Sequence, residues 1–386
     1  MDQYPLDPAR GAVSRTIVRV SMNLLGLLPP DLSALLHAAG VPTPEADARR
    51  VLARLISEGR SDVVPRGGMR RVVVEALAAH RWDRPRVIER VPDADGGLRY
   101  VFQADDGQVF DVVRIPLHVQ GRYSVCLSSQ VGCAMQCAFC ATGKLGLTRN
   151  LSAAEIIGAF LVVRDELREA DAAARVSGAV FMGQGEPLHN YDAVLQAANV
   201  LRDPCGGRIA SEAISISTVG LVPAIRRFAA EKQPFRLILS LTSADPVVRR
   251  RLLPVAGRHD LAELAEALSL VHAAQGDRVT LAWVLLGGVN TDPSEVERIR
   301  DAFGHLPLRI NLIDVNASPE ASLTLDGEKA EVFRRATDAE RNTFMDALQV
   351  LKSPVVRRYS VGRDQNAACG MLAARTAVEP DAAPWS

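Results

Sequence analysis

The stretch SSQVGCAMQCAFCATGKLG, residues 128–146, places three of the chain's six cysteines within eight residues, at Cys133, Cys137 and Cys140. It overlaps the end of YSVCLSS, residues 123–129, an apolar run typical of a β-strand. The array is therefore predicted to lie at the carboxyl end of a strand, where open α/β sheets and barrels place their chemistry. Clustered cysteines at such a position predict a site for a metal or an iron–sulfur cluster.

Strand-like runs and helical stretches alternate along the chain beyond this array. One helix is predicted after Ser152, because Glu155 three residues later completes a capping box. Six strands alternating with helices predict a parallel sheet covered by helices, either a partial barrel or a doubly wound sheet. After residues 123–129, the strand candidates are residues 178–183, 214–220, 236–243, 279–288 and 308–316.

The chain before the array has a different pattern. Residues 30–90 are predicted to be helical, since apolar residues recur at helical spacing and Gly40 and Gly59 provide stops. Residues 96–120 alternate apolar and polar side chains around a turn at residues 105–107, which predicts a β-hairpin. A small helical region and a hairpin therefore precede the α/β part of the chain.

The composition is that of a soluble globular protein of about two domains, with 386 residues and a hydrophobic fraction of 48%. Lys and Arg together number 45, as do Asp and Glu, so no overall basic field indicates nucleic-acid binding. The chain has no uncharged apolar run of about 18 residues, and residues 1–13 lack a signal-peptide layout. We expect a cytoplasmic protein without a membrane partner, in which clustered cysteines bind metal rather than form disulfides.

Three cysteines leave one ligand position open. A [4Fe–4S] cluster would fit this set, with one iron available to a further ligand. The alternatives are a structural zinc site completed by Cys126 or Cys205, or simple buried thiols. The spacing favours the cluster but leaves these alternatives open.

A more specific resemblance starts from Phe139, which precedes the last cysteine of the array. C-x3-C-x2-C with an aromatic residue at this position resembles the signature of radical S-adenosylmethionine (SAM) enzymes. Across about residues 110–375 the chain resembles the RlmN/Cfr methyltransferases, which methylate adenosine carbons in ribosomal RNA. The segments that carry the resemblance are VCLSSQVGCAMQCAFCATGKLGLTRNLSAAEIIG, VFMGQGEPLHN, ISTVGLVPAI, RINLIDVN and NAACGMLA.

This resemblance implies a fold and partners. The fold would be a partial (β/α)6 radical SAM barrel with a small N-terminal helical domain and a connecting β-hairpin. The substrate would be RNA, either ribosomal or transfer RNA, and the electron donor an external protein such as flavodoxin. The expected division is an RNA-binding accessory domain at residues 1–95, the hairpin connector at 96–120, the radical SAM core at 121–375 and a flexible tail at 376–386.

The resemblance also implies which residues hold the cofactors. Cys133, Cys137 and Cys140 would hold a [4Fe–4S] cluster, whose open iron takes the amino and carboxylate groups of SAM. Gly185 and Glu186 would meet the methionine portion, since glycine admits close backbone approach and a carboxylate suits an ammonium. Further SAM-contacting positions are Ser217, Ser240, Leu241, Thr242 and Asn316.

Three further residues would carry the methyl transfer if the family relay applies. Cys369 would be methylated first, and a 5′-deoxyadenosyl radical would then take a hydrogen atom from that methyl group. The resulting carbon radical adds to adenine, and Cys126 releases the crosslinked product by forming a disulfide with Cys369. Asp111 aligns with the family's proton-accepting glutamate and is one methylene shorter.

The chain also departs from the family pattern around this machinery. Thr242 stands where the family has a histidine, Ala317 where it has a proline, and Asn366 where it has an acidic residue. A second hypothesis is therefore a radical enzyme with the same cysteine relay that acts on a peptide or small molecule. A third is a non-catalytic, zinc-bound RNA-binding module.

Residues 60–90 carry a local net charge of +4, from eight arginines and four acids. Such arginines typically form a solvated helical face, whereas the resemblance favours contact with RNA phosphates. The arginines concerned are Arg60, Arg66, Arg70, Arg71, Arg81, Arg84, Arg86 and Arg90.

Overall fold

Three short helices begin the described part of the chain. Both predicted stops are confirmed: Gly40 has a φ of 80° and Gly59 a φ of 74°, left-handed conformations that favour glycine. The helices are α1 (Pro29–Ala38), α2 (Pro44–Leu52) and α3 (Arg71–Leu77). The structure, a computed structural model, describes residues 21–60, 69–316, 322–323, 331–358 and 371–372.

Three antiparallel strands follow the helices: β1 (Arg86–Pro92), β2 (Leu98–Gln103) and β3 (Val109–Pro116). The hairpin predicted at residues 96–120 is confirmed as β2 and β3. The helical prediction for residues 30–90 is wrong at its end, because β1 pairs with β2 there. β-Branched residues at positions 87, 88 and 91 favour a strand, and charged residues between them suit its place at the sheet edge.

The α/β part of the chain contains all six of its strand candidates, and each is confirmed. Its elements are β4 (Arg122–Leu127), β5 (Gln130–Gly132), α4 (Ala141–Lys144), β6 (Leu147–Asn150), α5 (Ala153–Ala170), β7 (Arg175–Phe181), α6 (Tyr191–Arg202), β8 (Ile214–Thr218), α7 (Val222–Ala230), β9 (Arg236–Ser240), α8 (Pro246–Leu252), α9 (Leu261–Gln275), β10 (Val279–Leu285), α10 (Pro293–Phe303), β11 (Leu308–Asp314), β12 (Ser322–Leu323), β13 (Glu331–Val332), α11 (Asp338–Leu348) and β14 (Val355–Arg358).

The predicted capping box is confirmed at the start of α5. Glu155 N donates to Ser152 Oγ at 3.2 Å, and Ser152 N donates to Glu155 Oε2 at 2.8 Å. Two of the backbone N–H groups that a helix start leaves without intrahelical partners are thereby satisfied. The helix that covers the first crossover from β4 to β7 therefore begins where the sequence predicts.

One sheet organises the fold, with the order β1-β2-β3-β4-β7-β8-β9-β10-β11-β14 within the described residues. Neighbouring strands are parallel from β4 to β14 and antiparallel from β1 to β4. β1 and β14 lie at opposite edges, so the sheet is an open, partial barrel as predicted. β14 is a parallel strand that the sequence patterns did not indicate.

Apolar side chains fill the space between this sheet and its helices. Trp283 on β10 meets Phe344 on α11 with ring centroids 5.3 Å apart, and Phe160 and Phe228 are fully buried on α5 and α7. Burying each such side chain stabilises the fold by about 1.5–3 kcal/mol. The N-terminal helices share this core, since Leu36 packs into the same apolar cluster. Within the described ranges, no helix is long and apolar enough to cross a membrane.

Candidate active site

A cavity opens at the carboxyl ends of the parallel strands. Residues that follow β4, β7, β9 and β11, together with the last residues of β8, line it, as expected for a barrel enzyme. Nine of the predicted site residues lie in its wall: Cys133, Cys137, Cys140, Gly185, Glu186, Ser217, Ser240, Thr242 and Asn316.

The remaining predicted site residues lie elsewhere. Leu241 is fully buried in the apolar core and does not line the cavity. Cys126 and Asp111 are buried on β4 and β3, behind the cavity wall. Cys369 lies outside the described residues.

Backbone hydrogen bonds shape the loop that carries the three cysteines. Cys133 N donates to Gly146 O at 2.7 Å, and Ala138 N donates to Leu252 O at 2.9 Å. Gly132 has a φ of 74°, and a Cβ there would lie 1.9 Å from Gly146 O. A side chain at residue 132 is therefore excluded, and glycine at this position lets the loop fold back towards the cavity.

Two of the three thiols, Cys133 and Cys137, lie in an environment that disfavours their charged form. Burial raises the pKa of Cys133 to about 12 and that of Cys137 well above its usual value, and the charges of the neighbouring thiolates add to both shifts. Bound iron would supply the positive charge that keeps such thiolates deprotonated. Cys133 and Cys137 thus need a cation to act as thiolates, which fits an iron–sulfur cluster.

The structure gives no support to the zinc alternative. Four ligands on one zinc ion would each lie about 2.0–2.3 Å from it. Among the described residues, no group of three or more His, Cys, Asp or Glu side chains could hold a single metal ion in this way. Neither Cys126 nor Cys205, the candidate fourth ligands, lines the cavity. Three cysteines that line one cavity suit a cluster, in which each cysteine binds a different iron.

The GQGEP segment after β7 presents Glu186 to the cavity. The residue is 2% exposed, and its carboxylate accepts from Leu188 N at 3.1 Å and from Val219 N at 3.0 Å. Burial raises the pKa of Glu186 to about 7, although these hydrogen bonds and one from the Thr218 side chain oppose the shift. An ammonium beside the carboxylate would favour its ionised form, so the site fits the amino group of SAM. Gly185, with a φ of 97°, provides the turn that brings the carboxylate here.

Hydroxyl groups line the neighbouring strand ends. Ser217 Oγ on β8 lies 3.1 Å from Ser240 Oγ on β9. Thr242 is fully buried with a φ of 58°, an unusual conformation for a β-branched residue. Within the described residues its Oγ1 has no hydrogen-bond partner. Strain and an unpartnered buried hydroxyl both fit contact with a polar cofactor.

Asp111 is held in a buried network beneath the GQGEP segment. Arg99 Nε donates to its Oδ1 at 2.9 Å, and Gln184 Nε2 donates to its Oδ2 at 3.1 Å. The residue is 0% exposed. Arg99 and Asp111 thus form a buried ion pair. The network also connects β3 directly to the segment that carries Glu186.

Cys126 lies next to the end of the described C-terminal chain. It belongs to a small buried cluster with Val113 and Leu372. Thr142 Oγ1, which follows the cysteine loop, donates to Leu372 O, and Leu372 itself lines the cavity. The structure therefore brings Leu372, three residues after Cys369, against both Cys126 and the cavity.

The arginines of residues 60–90 mostly have partners. Arg66 lies outside the described residues, and Arg86 donates to the amide oxygen of Gln103. Most of the paired acids lie outside the segment, so the surface there is less basic than its own composition indicates. The ion pairs are Arg60–Glu58, Arg70–Asp47, Arg71–Glu75, Arg81–Asp105, Arg84–Asp165 and Arg90–Glu166.

Two supporting residues were missing from the sequence-based site. Gln130 Oε1 accepts from Glu186 N at 2.9 Å, and Gln130 Nε2 donates to Asn150 Oδ1 at 2.7 Å. Thr218 supports the Glu186 carboxylate through its side chain. Both residues lie within segments that carry the family resemblance, but no spacing rule distinguishes them from ordinary strand-end residues.

Known proteins resemble the chain over nearly its whole length. The sequence model of the Radical SAM superfamily matches residues 127–301. A protein described as a probable RNA methyltransferase of Anaeromyxobacter sp. (strain Fw109-5) is 45% identical, with 92% of this chain and 100% of that protein covered. The dual-specificity RNA methyltransferase RlmN of Dinoroseobacter shibae is 33% identical, with 92% of this chain and 90% of that protein covered.

A solved structure agrees with these relatives. The crystal structure of a radical SAM methyltransferase from Sphaerobacter thermophilus matches with a TM-score of 0.79 and 31% identity, covering 91% of this chain and 99% of the other. The predicted resemblance is confirmed in sequence and in fold. The chain belongs to the RlmN/Cfr family of radical SAM RNA methyltransferases.

Proposed function

We propose that this protein methylates a carbon of adenine in RNA, with Cys369 as the methyl carrier. Relatives named RNA methyltransferases support RNA over the alternative peptide or small-molecule substrate. Family membership implies a [4Fe–4S] cluster and SAM. Ribosomal or transfer RNA is the substrate class.

The cavity residues have distinct tasks in this proposal. Cys133, Cys137 and Cys140 hold the cluster, and Glu186 binds the amino group of SAM. The bound cofactors supply reductive cleavage and a 5′-deoxyadenosyl radical. The remaining predicted residues orient SAM. Four of them act through a side-chain hydroxyl or amide: Ser217, Ser240, Thr242 and Asn316. Leu241 acts through its backbone, and Gly185 through its turn.

One observation carries the cysteine relay: Leu372 packs against Cys126 and lines the cavity. Three residues of chain span at most about 10 Å, so Cys369 lies within that distance of Leu372 along the backbone. The connection through Leu372 therefore allows Cys369 to reach Cys126. This neighbourhood supports their pairing, which the spacing of 243 positions in sequence does not suggest.

The chemistry of the two thiols then follows. Once the methylene on Cys369 is bonded to the adenine carbon, the Cys126 thiolate attacks the Cys369 sulfur. The sulfur–carbon bond breaks, its electron pair goes to carbon, and that carbon takes up a proton to become the methyl group. A disulfide remains, and it must be reduced before the next turnover, so the relay suits the reducing cytoplasm.

The surroundings complete the proposal. The helices and arginines of residues 1–95 contact the RNA backbone, and residues 96–120 connect them to the barrel core at 121–375, with residues 376–386 as a tail. An external donor such as flavodoxin supplies the electron for the cluster. The pairing of most described arginines of this region implies that RNA contact depends on shape as well as on charge.

Asp111 accepts the proton from the adenine carbon in this proposal, and Asp111→Asn tests that role. We expect release of RNA from Cys369 to slow about 10²–10⁴-fold, the usual contribution of a general base, while methylation of Cys369 continues. The measurement is single-turnover release of methylated RNA alongside peptide mass analysis of Cys369.

Arg99→Gln is the matched control, because it breaks the same buried ion pair. A purely structural role predicts that both variants unfold more easily and lose Cys369 methylation equally. Normal product release by a folded Asp111→Asn variant would remove Asp111 from the mechanism.

The substrate class is tested by comparing nucleosides from cells with and without the gene. We expect a methylated adenosine to be absent from ribosomal or transfer RNA when the gene is deleted, and to return with the wild-type copy but not with Cys369→Ala. Unchanged RNA nucleosides together with SAM cleavage by the purified protein would favour the peptide or small-molecule alternative.

A further inference from the structure

Arg249 is a buried cation behind the cysteine loop. It lies on α8 and is 2% exposed. The helix packs directly on the loop, since Ala138 N donates to Leu252 O at 2.9 Å and Cys137 shares an apolar cluster with Leu252 and Leu253. The guanidinium is therefore part of the surroundings of Cys137 rather than of the protein surface.

This guanidinium has no carboxylate partner within 4.0 Å among the described residues. Its Nη2 donates to Val219 O at 3.0 Å, while its Nε has no hydrogen-bond partner in the same part of the chain. The other buried arginines differ, because Arg99 pairs with Asp111 and Arg164 pairs with Asp165. Burying a charge without a counterion costs free energy, so Arg249 requires an anion that the described carboxylates do not supply.

The thiolates of the cluster site lie on the loop against which α8 packs, so they are anions that could meet this need. Burial lowers the pKa of Arg249 to about 10, and negative charge on Cys137 acts against that shift. The guanidinium stays protonated at neutral pH. Anchoring Val219 alone would not require a cation, because a neutral amide can donate the same hydrogen bond.

We propose that Arg249 is the counter-charge of the iron–sulfur site, and that it favours the reduced state of the cluster. Reduction adds one negative charge, and a buried guanidinium beside Cys137 stabilises that charge in surroundings of low polarity. Arg249 acts through the cluster, not on SAM or RNA. The inference rests on the assignment of the three cysteines to a cluster, which iron analysis of the parent protein tests separately.

The test is a redox titration of the reconstituted protein without SAM, followed by electron paramagnetic resonance. Arg249→Gln is expected to lower the equilibrium constant for one-electron reduction about tenfold, which corresponds to a midpoint potential about 59 mV more negative. Arg249→Lys keeps the charge and is expected to stay within about twofold of the parent constant. Arg250→Gln removes an equal charge from an exposed position of the same helix and is expected to stay within the same range.

The iron-free proteins give a second measurement. The thermal unfolding temperature of iron-free Arg249→Gln is expected to be at least as high as that of the parent. The substitution loses the hydrogen bond to Val219, but it also removes a buried unpaired charge. If Arg249→Gln does not fold, Arg249→Met keeps the apolar stem and is titrated in its place.

Three results would overturn the inference: a potential unchanged in Arg249→Gln, an equal shift in Arg249→Lys, or an equal shift in Arg250→Gln. Early unfolding of iron-free Arg249→Gln together with an unchanged potential would assign Arg249 to anchoring Val219 alone. A parent protein that binds no iron would overturn the cluster assignment itself, and with it this inference.

Discussion

Cys126→Ala is expected to accumulate as a covalent complex in which RNA is joined to Cys369. The Cys126 thiolate attacks the Cys369 sulfur, and no ordinary side chain can replace one sulfur in exchange with another. The crosslink therefore forms but is not resolved, so methylated RNA stays below one equivalent of enzyme. A denaturing gel, followed by nuclease digestion and peptide mass analysis, would detect the nucleotide on Cys369.

Two variants serve as controls for this experiment. Cys205→Ala changes a half-buried cysteine outside the cavity and is expected to release methylated RNA normally. Cys369→Ala is expected to give neither methylated protein nor crosslink. If Cys126→Ala folds, binds iron and never traps nucleic acid, then either the RNA substrate or the resolving role of Cys126 must be abandoned.

Cys137→Ala is expected to lose the cluster and, with it, the reductive cleavage of SAM. Removing one of three thiolates leaves an iron without its protein ligand, and even outer-shell changes at metal sites cost about 10–100-fold in affinity or activity. We expect formation of 5′-deoxyadenosine to fall below about a hundredth of the parent rate. The loss of the cluster is measured by iron and sulfide analysis and by visible absorption. The loss of SAM cleavage is measured by a product assay under anaerobic conditions.

The fold should survive this substitution. Cys137 is a small side chain in a minor apolar cluster, so alanine leaves only a small cavity there. Circular dichroism of the iron-free protein is expected to match the parent, and Cys205→Ala again supplies a cysteine change that leaves the cluster intact. A Cys137→Ala variant that still cleaves SAM would show that the cluster assignment is wrong.

Most of the barrel could be predicted from local patterns, because the sequence signals of its strands and helices lie within short stretches of the chain. Each parallel strand is a short apolar run, and the Ser152 capping box lies within four residues of sequence. β1 and β14 escaped prediction because both lie at the sheet edges and carry charged side chains among their apolar residues. Only pairing with β2 and β11 makes them strands, and pairing partners cannot be found from a strand's own residues.

The residues of the candidate site likewise divide into those that the sequence indicated and those that only the structure revealed. The three cysteines were indicated by their spacing, whereas the GQGEP segment was indicated only through the family resemblance, and both line the cavity. Leu241 was placed among the SAM contacts through the family resemblance, yet its side chain packs in the core. Arg249 gave no signal, since one arginine among three in sequence looks like part of a solvated helix face. Its burial is a property of how α8 packs, which sequence alone does not contain.

The ion pairs of residues 60–90 bear on how this surface can evolve. Acids elsewhere in the chain, among them Asp105, Asp165 and Glu166, determine how much positive charge these arginines present. A single change at an exposed acid such as Asp105 would unmask a guanidinium that is already in place. Affinity for a polyanion can therefore drift up or down through the loss or gain of acids, while the number of arginines stays constant. In a comparison of descendant sequences, selection on affinity for a polyanion would therefore be visible as changes at these acidic positions.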